Sequence, residues 1–336
     1  MHHAKCMKIA AIVPTKDRLE KLQITVCRLL GGSVDHIVVF DNDSKDGTGD
    51  WLKSLKDPRL TILHSEENVG GAGGFSRSIA HCRSEIDPDW YVLMDDDARP
   101  YAEAICAFRG VNSDKYDIVA SAVYHPNGDI SELNRPAKNP FWSIGLAART
   151  IVGGGRMGFH IADESYHRSE VIDIDTASFV GLFISRSVIN EIGLPNEKFF
   201  IYGDDTVYTL KARRAGLRAA FIPQIQFEHD NFECAREVTI HPMWKVYYLC
   251  RNGIFVAREA AGITGFPFAF IWYLSSWIYK VRLYNKMERL IYLKLVARGV
   301  FDGLWGRLGR NDKIIVELRE FEANAGSTIG RVTVTK

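Results

Sequence analysis

The first 95 residues alternate short, mostly apolar runs with segments of helical periodicity. The apolar runs are four to six residues long, which is the length of a buried strand. They lie at residues 8–13, 36–40, 60–63 and 91–94. The segments between them carry helical spacing or a glycine-rich helix start, at residues 18–30, 48–55 and 70–82. Strands that alternate with helices predict an α/β fold with a mostly parallel, Rossmann-like sheet flanked by helices, and ligand groups at the carboxyl ends of the strands.

The regular pattern breaks between Tyr124 and Tyr166, where prolines and glycines interrupt it. A region of this length without periodicity is usually a functional lid or a disordered segment. Alternation then resumes, with strand-like chemistry at 172–184, a strand at 218–225 and helices at 188–192 and 206–215. The rest of the chain is predicted to be largely helical. We therefore divide it into a domain of residues 1–240 and a helical region of residues 241–336.

The composition is that of a globular protein with a sizeable core, since the 336 residues are 46% hydrophobic and 25% charged. The net charge of +1 provides no global attraction to nucleic acid, and none is expected as a partner. The charge is nevertheless unevenly divided. Residues 1–240 hold 27 Lys and Arg against 34 Asp and Glu, whereas residues 241–336 hold 15 against 7. This asymmetry predicts an acidic catalytic part and a basic C-terminal part with a negatively charged neighbour.

Six scattered cysteines, including Cys6 and Cys234, form neither a Cys-x-x-Cys pair nor a zinc spacing. Such cysteines fit a reducing compartment. The N-terminus also lacks the apolar core of a signal peptide. We therefore expect a cytoplasmic location.

An uncharged stretch at residues 260–279 is long enough to span a bilayer. Gly262, Gly265 and Pro267 interrupt it, and its many aromatic residues favour the membrane interface over the membrane centre. Basic residues follow at once from Lys280 onward. We expect an interfacial helix pair that dips into one leaflet. The alternatives are a buried helix or dimer contact, and a true membrane span.

Three consecutive carboxylates, Asp95, Asp96 and Asp97, follow the predicted strand at 91–94. Neighbouring carboxylates repel one another unless a cation lies among them. Mg²⁺ and Mn²⁺ favour carboxylate oxygens and usually keep open positions for phosphate. The sequence therefore suggests a divalent metal that holds a phosphorylated ligand, with a solvated acidic turn as the alternative.

Two further sets of residues add to this cluster. Asp204 and Asp205 precede the predicted helix 206–215, where one aspartate can cap the helix, worth about 1 kcal/mol, and the other stays available as a general base toward a hydroxyl. His229 follows the strand predicted at 218–225. A lone histidine is more often structural than a ligand, but a strand of the same sheet could return His229 to the crevice of the acidic cluster.

The glycine-rich segment 67–75 matches neither a Walker loop nor the Gly-x-Gly-x-x-Gly spacing of dinucleotide-binding proteins. A glycine-bearing helix N-terminus can still receive a diphosphate.

In order and chemistry, these motifs resemble those of family-2 glycosyltransferases with the GT-A fold. The resemblance covers residues 8–230 and depends on segments 12–18, 41–48, 68–70 and 95–97 and on the acidic pair Asp204-Asp205. Within the family, segment 68–77, the complete acidic triad and the late His229 are most similar to the galactofuranosyltransferases. Segment 247–252 resembles an element shared more widely, including by rhamnosyltransferases. The resemblance thus favours UDP-galactofuranose as the donor, with dTDP-rhamnose as the alternative.

The resemblance implies a metal-dependent transferase that inverts the anomeric carbon. Asp95, Asp97 and His229 would hold Mn²⁺ or Mg²⁺, and Asp205, beside Asp204, would deprotonate the acceptor hydroxyl. The nucleotide-sugar would contact Pro14, Thr15, Arg18, Asp41, Asn68, Gly70, Gly71 and Asp96. The acceptor side would include Phe179, Val180, Gly181 and Arg251, with 135–167 as a lid. Arg251 would meet a phosphate or form an ordinary ion pair.

The same resemblance implies that residues 8–125 bind the nucleotide-sugar and residues 126–240 form the acceptor side. The acceptor would be a growing, lipid-linked cell-surface glycan. Independently of the resemblance, the basic residues 241–336 and the uncharged aromatic stretch 260–279 predict that the enzyme lies peripherally on the inner face of the plasma membrane, with a soluble homo-oligomer as the alternative. A nucleotidyltransferase is the rival enzyme class, but segment 14–18 lacks the glycine its loop requires. A non-catalytic nucleotide-sugar or lipid-binding protein is disfavoured because Asp205 accompanies the acidic triad.

Overall fold

The computed structural model describes residues 7–111, 115–231 and 239–318. The chain forms two compact units. The sheet unit contains the described residues of Met1–Glu197 and Asp204–Arg236, and the helical unit those of Lys198–Gly203 and Glu237–Lys336. Cys6, Cys234 and residues 319–336, which enter the composition argument, lie outside the described residues.

Among the described residues, nine strands form one mixed sheet. They are β1 (Ile9–Thr15), β2 (His36–Asn42), β3 (Leu60–Ser65), β4 (Trp90–Leu93), β5 (Ala98–Pro100), β6 (Ile118–Tyr124), β7 (Ile172–Asp173), β8 (Leu182–Ser185) and β9 (Ala219–His229). Their order is β3-β2-β1-β4-β8-β6-β9-β5, and β7 pairs with β9. The predicted α/β fold is confirmed.

The sheet is less parallel than predicted. Strands β1 to β4 pair in parallel, as do β6 and β9. By contrast, β8 enters between β4 and β6 in the opposite direction, and β5 runs antiparallel to β9. The long connection between β6 and β8 reverses the chain direction, which the alternating pattern of the first four strands did not indicate.

Helices cover both faces of this sheet. They are α1 (Leu19–Leu30), α2 (Thr48–Ser54), α3 (Gly70–Glu85), α4 (Ala104–Arg109), α5 (Ile144–Arg149), α6 (Asp163–Tyr166), α7 (Arg186–Ile192) and α8 (Asp204–Arg214). In β1, Ala10 and Ile12 pack in the core that contains α3, α7 and α8, whereas Ile9, Ala11 and Val13 pack in the core that contains α1 and α4. Both faces of β1 are buried, so its sequence is a continuous apolar run.

The region between Tyr124 and Tyr166 contains more regular structure than predicted. It holds α5, α6 and the short helical segments Glu132–Asn134, Pro140–Trp142, Thr150–Gly154 and Gly155–Gly158. Local caps explain two of these starts, because the Asn139 side chain accepts from the Phe141 amide and the Ser143 side chain from the Leu146 amide. The proposed role of this region as a lid stays a prediction.

The helical unit is built on a long helix, α9 (Trp244–Lys280), which is broken at Gly262. Gly262 has φ 64° and ψ −173°, so α9 consists of a first arm, residues 244–261, and a second arm, residues 263–280. A Cβ on Gly253 would lie 2.6 Å from the Trp277 ring, which shows that the second arm folds back on the first. A 3₁₀ turn, Val281–Leu283, then leads to α10 (Lys286–Leu304).

Helix α10 packs closely on the first arm of α9. A Cβ on Gly299 would lie 2.6 Å from the Tyr247 carbonyl oxygen, so only glycine permits this approach. The helix begins with a capping box, in which the Asn285 side chain accepts from the Glu288 amide and the Glu288 carboxylate accepts from the Asn285 amide. A last described helix covers residues 312–318.

Candidate active site

The acidic triad lies just after β4, and its central member faces into the protein. The Asp96 carboxylate accepts hydrogen bonds from the Thr15 hydroxyl at 2.8 Å and from the Arg18 guanidinium at 3.1 Å. The Thr25 hydroxyl also donates to the Asp96 carbonyl. Arg18 extends to Asp97, with a nitrogen–oxygen distance of 2.6 Å. Thr15, Arg18 and Asp96 therefore hold the triad loop against the end of β1; their predicted contacts with the nucleotide-sugar stay predictions.

His229 reaches the triad through a strand pairing that the sequence did not reveal. The strand predicted to end at residue 225 continues to His229, and the three-residue strand β5 pairs with it so that Ala98 lies opposite His229. The Asp230 amide also donates to the Asp97 carbonyl at 2.9 Å. This antiparallel register places the histidine beside the carboxylate that precedes Ala98.

Asp95, Asp97 and His229 form one potential metal-binding cluster. His229 Nε2 lies 3.0 Å from an Asp97 carboxylate oxygen and 3.8 Å from an Asp95 carboxylate oxygen. One ligand atom from each of the three residues lies within 4.8 Å of the others. Carboxylate oxygens with one imidazole nitrogen suit Mn²⁺ or Mg²⁺. Because Asp95 is about half exposed, the cluster can also receive oxygen ligands from a bound phosphate.

Asn134 orients the histidine of this cluster. Its side-chain oxygen lies 2.7 Å from His229 Nδ1 and also accepts from the Ser131 hydroxyl, while its amide group donates to the Ser178 hydroxyl. A proton on Nδ1 leaves Nε2 facing the two carboxylates. Histidine ligands of metals are commonly fixed in this way by a second hydrogen-bond partner. Asn134 could not be recognised from the sequence, because a single asparagine in an irregular region provides no signal.

The two terminal carboxylates of the triad differ in their electrostatics. Burial raises the pKa of Asp97, but the hydrogen bond and charge of His229, together with the Arg18 charge, outweigh burial and lower this pKa to about 2. Desolvation and the charges of Asp97 and Asp96 raise the pKa of Asp95 above its usual range, although half of its side chain is exposed. A divalent cation would compete with the Asp95 proton for the same oxygen.

The second acidic pair, Asp204 and Asp205, starts α8. Burial, the Asp205 charge and the Asp95 charge raise the pKa of Asp204 to about 8. Burial also raises the pKa of Asp205, opposed by hydrogen bonds from the amide and hydroxyl of Thr206. The hydrogen bonds at the start of α8 therefore do not show that Asp204, rather than Asp205, caps the helix. The charge of Asp95 contributes to the raised pKa of Asp204, so Asp204 lies within electrostatic range of the triad. Raised pKa values suit a general base near neutral pH.

Arg251 has a different role from the predicted phosphate contact or ion pair. Its side chain is buried, and its guanidinium donates to the Phe199 carbonyl at 2.8 Å and also to the Gly309 carbonyl. The next residue, Asn252, donates to the carbonyls of Ile201 and Tyr202. These contacts lie within the helical unit. They indicate that Arg251 and Asn252 fix the loop Lys198–Gly203, which leads directly into Asp204 along the chain.

That loop has an unusual backbone. Phe200 and Tyr202 both have φ 68°, in the left-handed region that non-glycine residues rarely adopt. Such a conformation costs on the order of 1–3 kcal/mol per residue and persists where the surroundings hold it. Hydrogen bonds from Arg251 and Asn252 to the carbonyls of this loop provide that hold.

Two of the predicted nucleotide-binding residues, Asp41 on β2 and Asn68 just before α3, are each held by their own hydrogen bonds. The Asp41 carboxylate is buried, accepts from the Ser44 amide at 3.0 Å and lies 3.2 Å from His64 Nδ1. The Asn68 side-chain oxygen accepts from the Asn42 side chain and from the Gly70 amide. These bonds shape the turn into α3, and the predicted contacts of Asp41 and Asn68 with the nucleotide stay predictions.

Close packing explains part of the glycine-rich segment. A Cβ on Gly74 would lie 2.6 Å from the Pro14 Cβ, so the glycine allows α3 to pack directly on β1. Gly70 has φ 75° at the helix start, and a Cβ on Gly71 would meet open space. Gly74 and Pro14 therefore have a structural role, whereas Gly71 leaves room for a ligand.

The predicted acceptor residues Phe179, Val180 and Gly181 are core residues in this structure. Phe179 and Val180 are buried, and the Phe179 ring lies 5.1 Å from the Phe75 ring. A Cβ on Gly181 would lie 2.8 Å from the Phe227 ring. This geometry indicates packing behind the site rather than direct contact with an acceptor.

The acidic triad lies within the part of the chain that matches a known family model. The model for glycosyl transferase family 2 matches residues 10–178, which is half of the chain. The chain belongs to this family. The family predicted from the sequence motifs is thereby confirmed.

Individual relatives share between about a fifth and a quarter of their aligned residues with this chain. Galactofuranosyltransferase GlfT1 of Mycolicibacterium smegmatis is 25% identical over 216 residues, 62% of this chain and 66% of the relative. The chain thus spans just under two thirds of that relative. The low-salt glycan biosynthesis hexosyltransferase Agl10 of Haloferax volcanii is 22% identical over 289 residues, 84% of this chain and 86% of the relative. The mannosyltransferase PcManGT from Pyrobaculum calidifontis, solved with GDP-Man and Mn²⁺, superposes with a TM-score of 0.49 at 16% identity, over 95% of this chain and 80% of the other.

Proposed function

We propose that this protein is a divalent-cation-dependent, inverting glycosyltransferase that transfers galactofuranose from UDP-galactofuranose to a hydroxyl of a lipid-linked glycan. The proposal depends on the cluster of Asp95, Asp97 and His229, with Asp204 close enough for the Asp95 charge to raise its pKa and Asp205 next to it along the chain. A cation site beside a poised carboxylate is what transfer from a nucleoside diphosphate to a hydroxyl requires. The galactofuranosyltransferase among the relatives supports the choice of sugar.

A bound Mn²⁺ or Mg²⁺ would supply positive charge that neutralises the leaving diphosphate. The residues of the chain perform the remaining steps. Asp97 and Asp95 would hold this cation with their carboxylate oxygens and His229 with Nε2, while Asn134 fixes the orientation of the His229 ring. The triad loop keeps its position because Thr15 and Arg18 bind Asp96.

Asp205 accepts the proton of the acceptor hydroxyl as that oxygen attacks the anomeric carbon. The new carbon–oxygen bond forms on the face opposite the leaving group, and the bond between the anomeric carbon and the diphosphate oxygen breaks. The nucleoside diphosphate leaves with the electron pair of that bond. Inversion follows because attack and departure occur on opposite faces of the sugar.

Another hexose donor, including dTDP-rhamnose, is the second candidate. The observation in its favour is that the hexosyltransferase of Haloferax volcanii matches 84% of this chain, more than the 62% matched by the mycobacterial galactofuranosyltransferase. The site residues described above serve either donor, because they address the diphosphate and the acceptor hydroxyl rather than the sugar ring.

A donor panel tests the proposal. Purified protein with Mn²⁺ is given UDP-galactofuranose, UDP-galactopyranose, dTDP-rhamnose or GDP-mannose, and release of the nucleoside diphosphate is measured with and without EDTA. The fastest release is expected from UDP-galactofuranose, and EDTA should abolish it. Faster release from dTDP-rhamnose would show that rhamnose is the donor sugar and would leave the proposed reaction type unchanged. Release from none of the donors would contradict the proposed activity.

A further inference from the structure

The second arm of α9 carries an exposed apolar face. Its exposed residues recur at helical spacing and form what we call the apolar stripe: Ile263, Phe268, Ile271, Trp272, Ile278 and Tyr279. Ile263 is 96% exposed and Phe268 is 75% exposed. Single exposed apolar residues are ordinary on protein surfaces, but a stripe along a whole helical arm marks an interaction surface.

The opposite face of the same arm is packed within the helical unit. Ala269 and Trp277 are buried, and the Trp277 carbonyl accepts from the Tyr292 hydroxyl of α10 at 2.9 Å. The stripe is therefore the outer face of a folded hairpin.

Charge identifies the surface that suits this stripe. The sequence carries no charged residue from Ala260 to Tyr279. From Lys280 to Arg298, in contrast, six basic residues accompany a single acidic residue, Glu288. All six basic residues are exposed: Lys280, Arg282, Lys286, Arg289, Lys294 and Arg298. An uncharged aromatic stripe followed directly by basic residues is complementary to an anionic lipid surface, where Trp and Tyr favour the interface and each nearby Lys or Arg adds attraction.

We propose that the apolar stripe docks this protein on an anionic bilayer, with the second arm of α9 lying in the interface and the basic residues of 280–298 contacting the headgroups. The structure of the helical unit favours docking at the membrane surface over a helix that spans the membrane. By length and composition, one helix in the described part of the chain, Trp244–Leu283, could cross a membrane, and only 17% of its most apolar stretch is buried. However, Gly262 breaks that helix, and one face of the second arm is already covered by protein.

Vesicle binding tests the apolar part of the proposal. Full-length protein is sedimented with vesicles of phosphatidylcholine alone or of phosphatidylcholine mixed with phosphatidylglycerol, whose anionic headgroup attracts nearby Lys and Arg. Binding is expected to the anionic vesicles only. The double variant Phe268→Ser/Trp272→Ser should bind at least about tenfold more weakly, because each large apolar side chain contributes on that scale when buried. Ile24→Ser, which removes a half-exposed apolar residue of α1, is the matched control and should bind like the wild type.

The basic part is tested by salt and by charge removal. The double variant Lys286→Gln/Lys294→Gln should bind anionic vesicles about fivefold more weakly per charge removed. Added salt should weaken vesicle binding of the wild type more than vesicle binding of this variant. Circular dichroism checks that each variant is folded. Equal binding to neutral vesicles, unchanged binding by the stripe variant, or a soluble dimer whose interface contains the stripe would overturn the proposal. The docking result does not depend on the donor sugar, so it can fail while the proposed reaction holds.

Discussion

Replacing Asn134 by alanine should weaken metal binding without touching a metal ligand. The Asn134 oxygen lies 2.7 Å from His229 Nδ1, and both residues are buried. Loss of this acceptor leaves a buried N–H group unpaired, which costs about 1–3 kcal/mol. Second partners of ligating histidines typically contribute about 10–100-fold in metal affinity, or roughly 1.4–2.8 kcal/mol. The two magnitudes agree, so we expect the Mn²⁺ Kd to rise by about 10–100-fold.

Isothermal titration of chelator-stripped protein with Mn²⁺ in the presence of UDP measures this change directly. Asn134→Asp keeps the oxygen that faces His229 and should recover most of the affinity. Asn127→Ala removes an exposed asparagine from the preceding loop, where its side chain bonds to Asp129, and serves as the matched control. If Asn134→Ala binds Mn²⁺ as tightly as the wild type, or loses turnover at saturating Mn²⁺ while its Kd for Mn²⁺ is unchanged, then Asn134 does not act by orienting His229.

Three further predictions concern the second acidic pair and its loop. Asp205→Asn should lower turnover by about 10²–10⁴-fold while the Kd for UDP stays the same, and turnover within tenfold of the wild type would assign the base to another residue. Arg251→Lys should lower kcat with little change in donor KM, because the loop before Asp204 loses hydrogen bonds from the guanidinium. The control Arg258→Lys, which affects contacts with the carbonyls of residues 303 and 304, should leave kcat unchanged. If both variants lost kcat equally, Arg251 would have only a structural role. The pKa of Asp204 is about 8 in the folded protein against an ordinary value of 3.8, so the stability that protonated Asp204 contributes is complete below about pH 4 and is lost as pH rises to 8. In EDTA, the Tm of Asp204→Asn should therefore rise relative to the wild-type Tm between pH 5 and pH 9. A constant Tm difference over this range would contradict the raised pKa.

The first strands could be predicted because local physics determines them. Strand β1 is buried on both faces, so its sequence is a continuous apolar run. The same holds for β2, and the predicted bounds of both differ from the observed ones by at most two residues. The acidic triad could also be recognised, since three adjacent carboxylates after such a strand are unusual whatever the rest of the chain does.

Contacts between distant parts of the chain could be predicted only in outline. The sequence placed His229 near Asp97 by the general rule that strand ends meet at one edge. The structure achieves this by pairing β5 with the end of β9, and a strand of three residues ending at Pro100 has no readable periodicity. Asn134 is 95 residues from His229 along the chain, and the residues around Asn134 do not predict the hydrogen bond between them.

Arg251 shows a related limit. Its neighbours in the sequence resemble a known motif, which left a phosphate contact and an ordinary ion pair as the two alternatives. Its environment depends on the carbonyls of a loop some 50 residues earlier. A buried arginine that satisfies backbone carbonyls and an arginine that binds phosphate are indistinguishable until that loop is placed.

Asp95, Asp97 and His229 should hold the divalent cation that the proposed transfer requires. Electron paramagnetic resonance of Mn²⁺, titrated into chelator-stripped protein with UDP, counts the bound ions. We predict one Mn²⁺ per chain in the wild type and binding at least about tenfold weaker in Asp97→Asn, since a charged ligand is lost. Undiminished Mn²⁺ binding by Asp97→Asn, or full-rate sugar transfer in EDTA, would show that these residues do not hold the required cation.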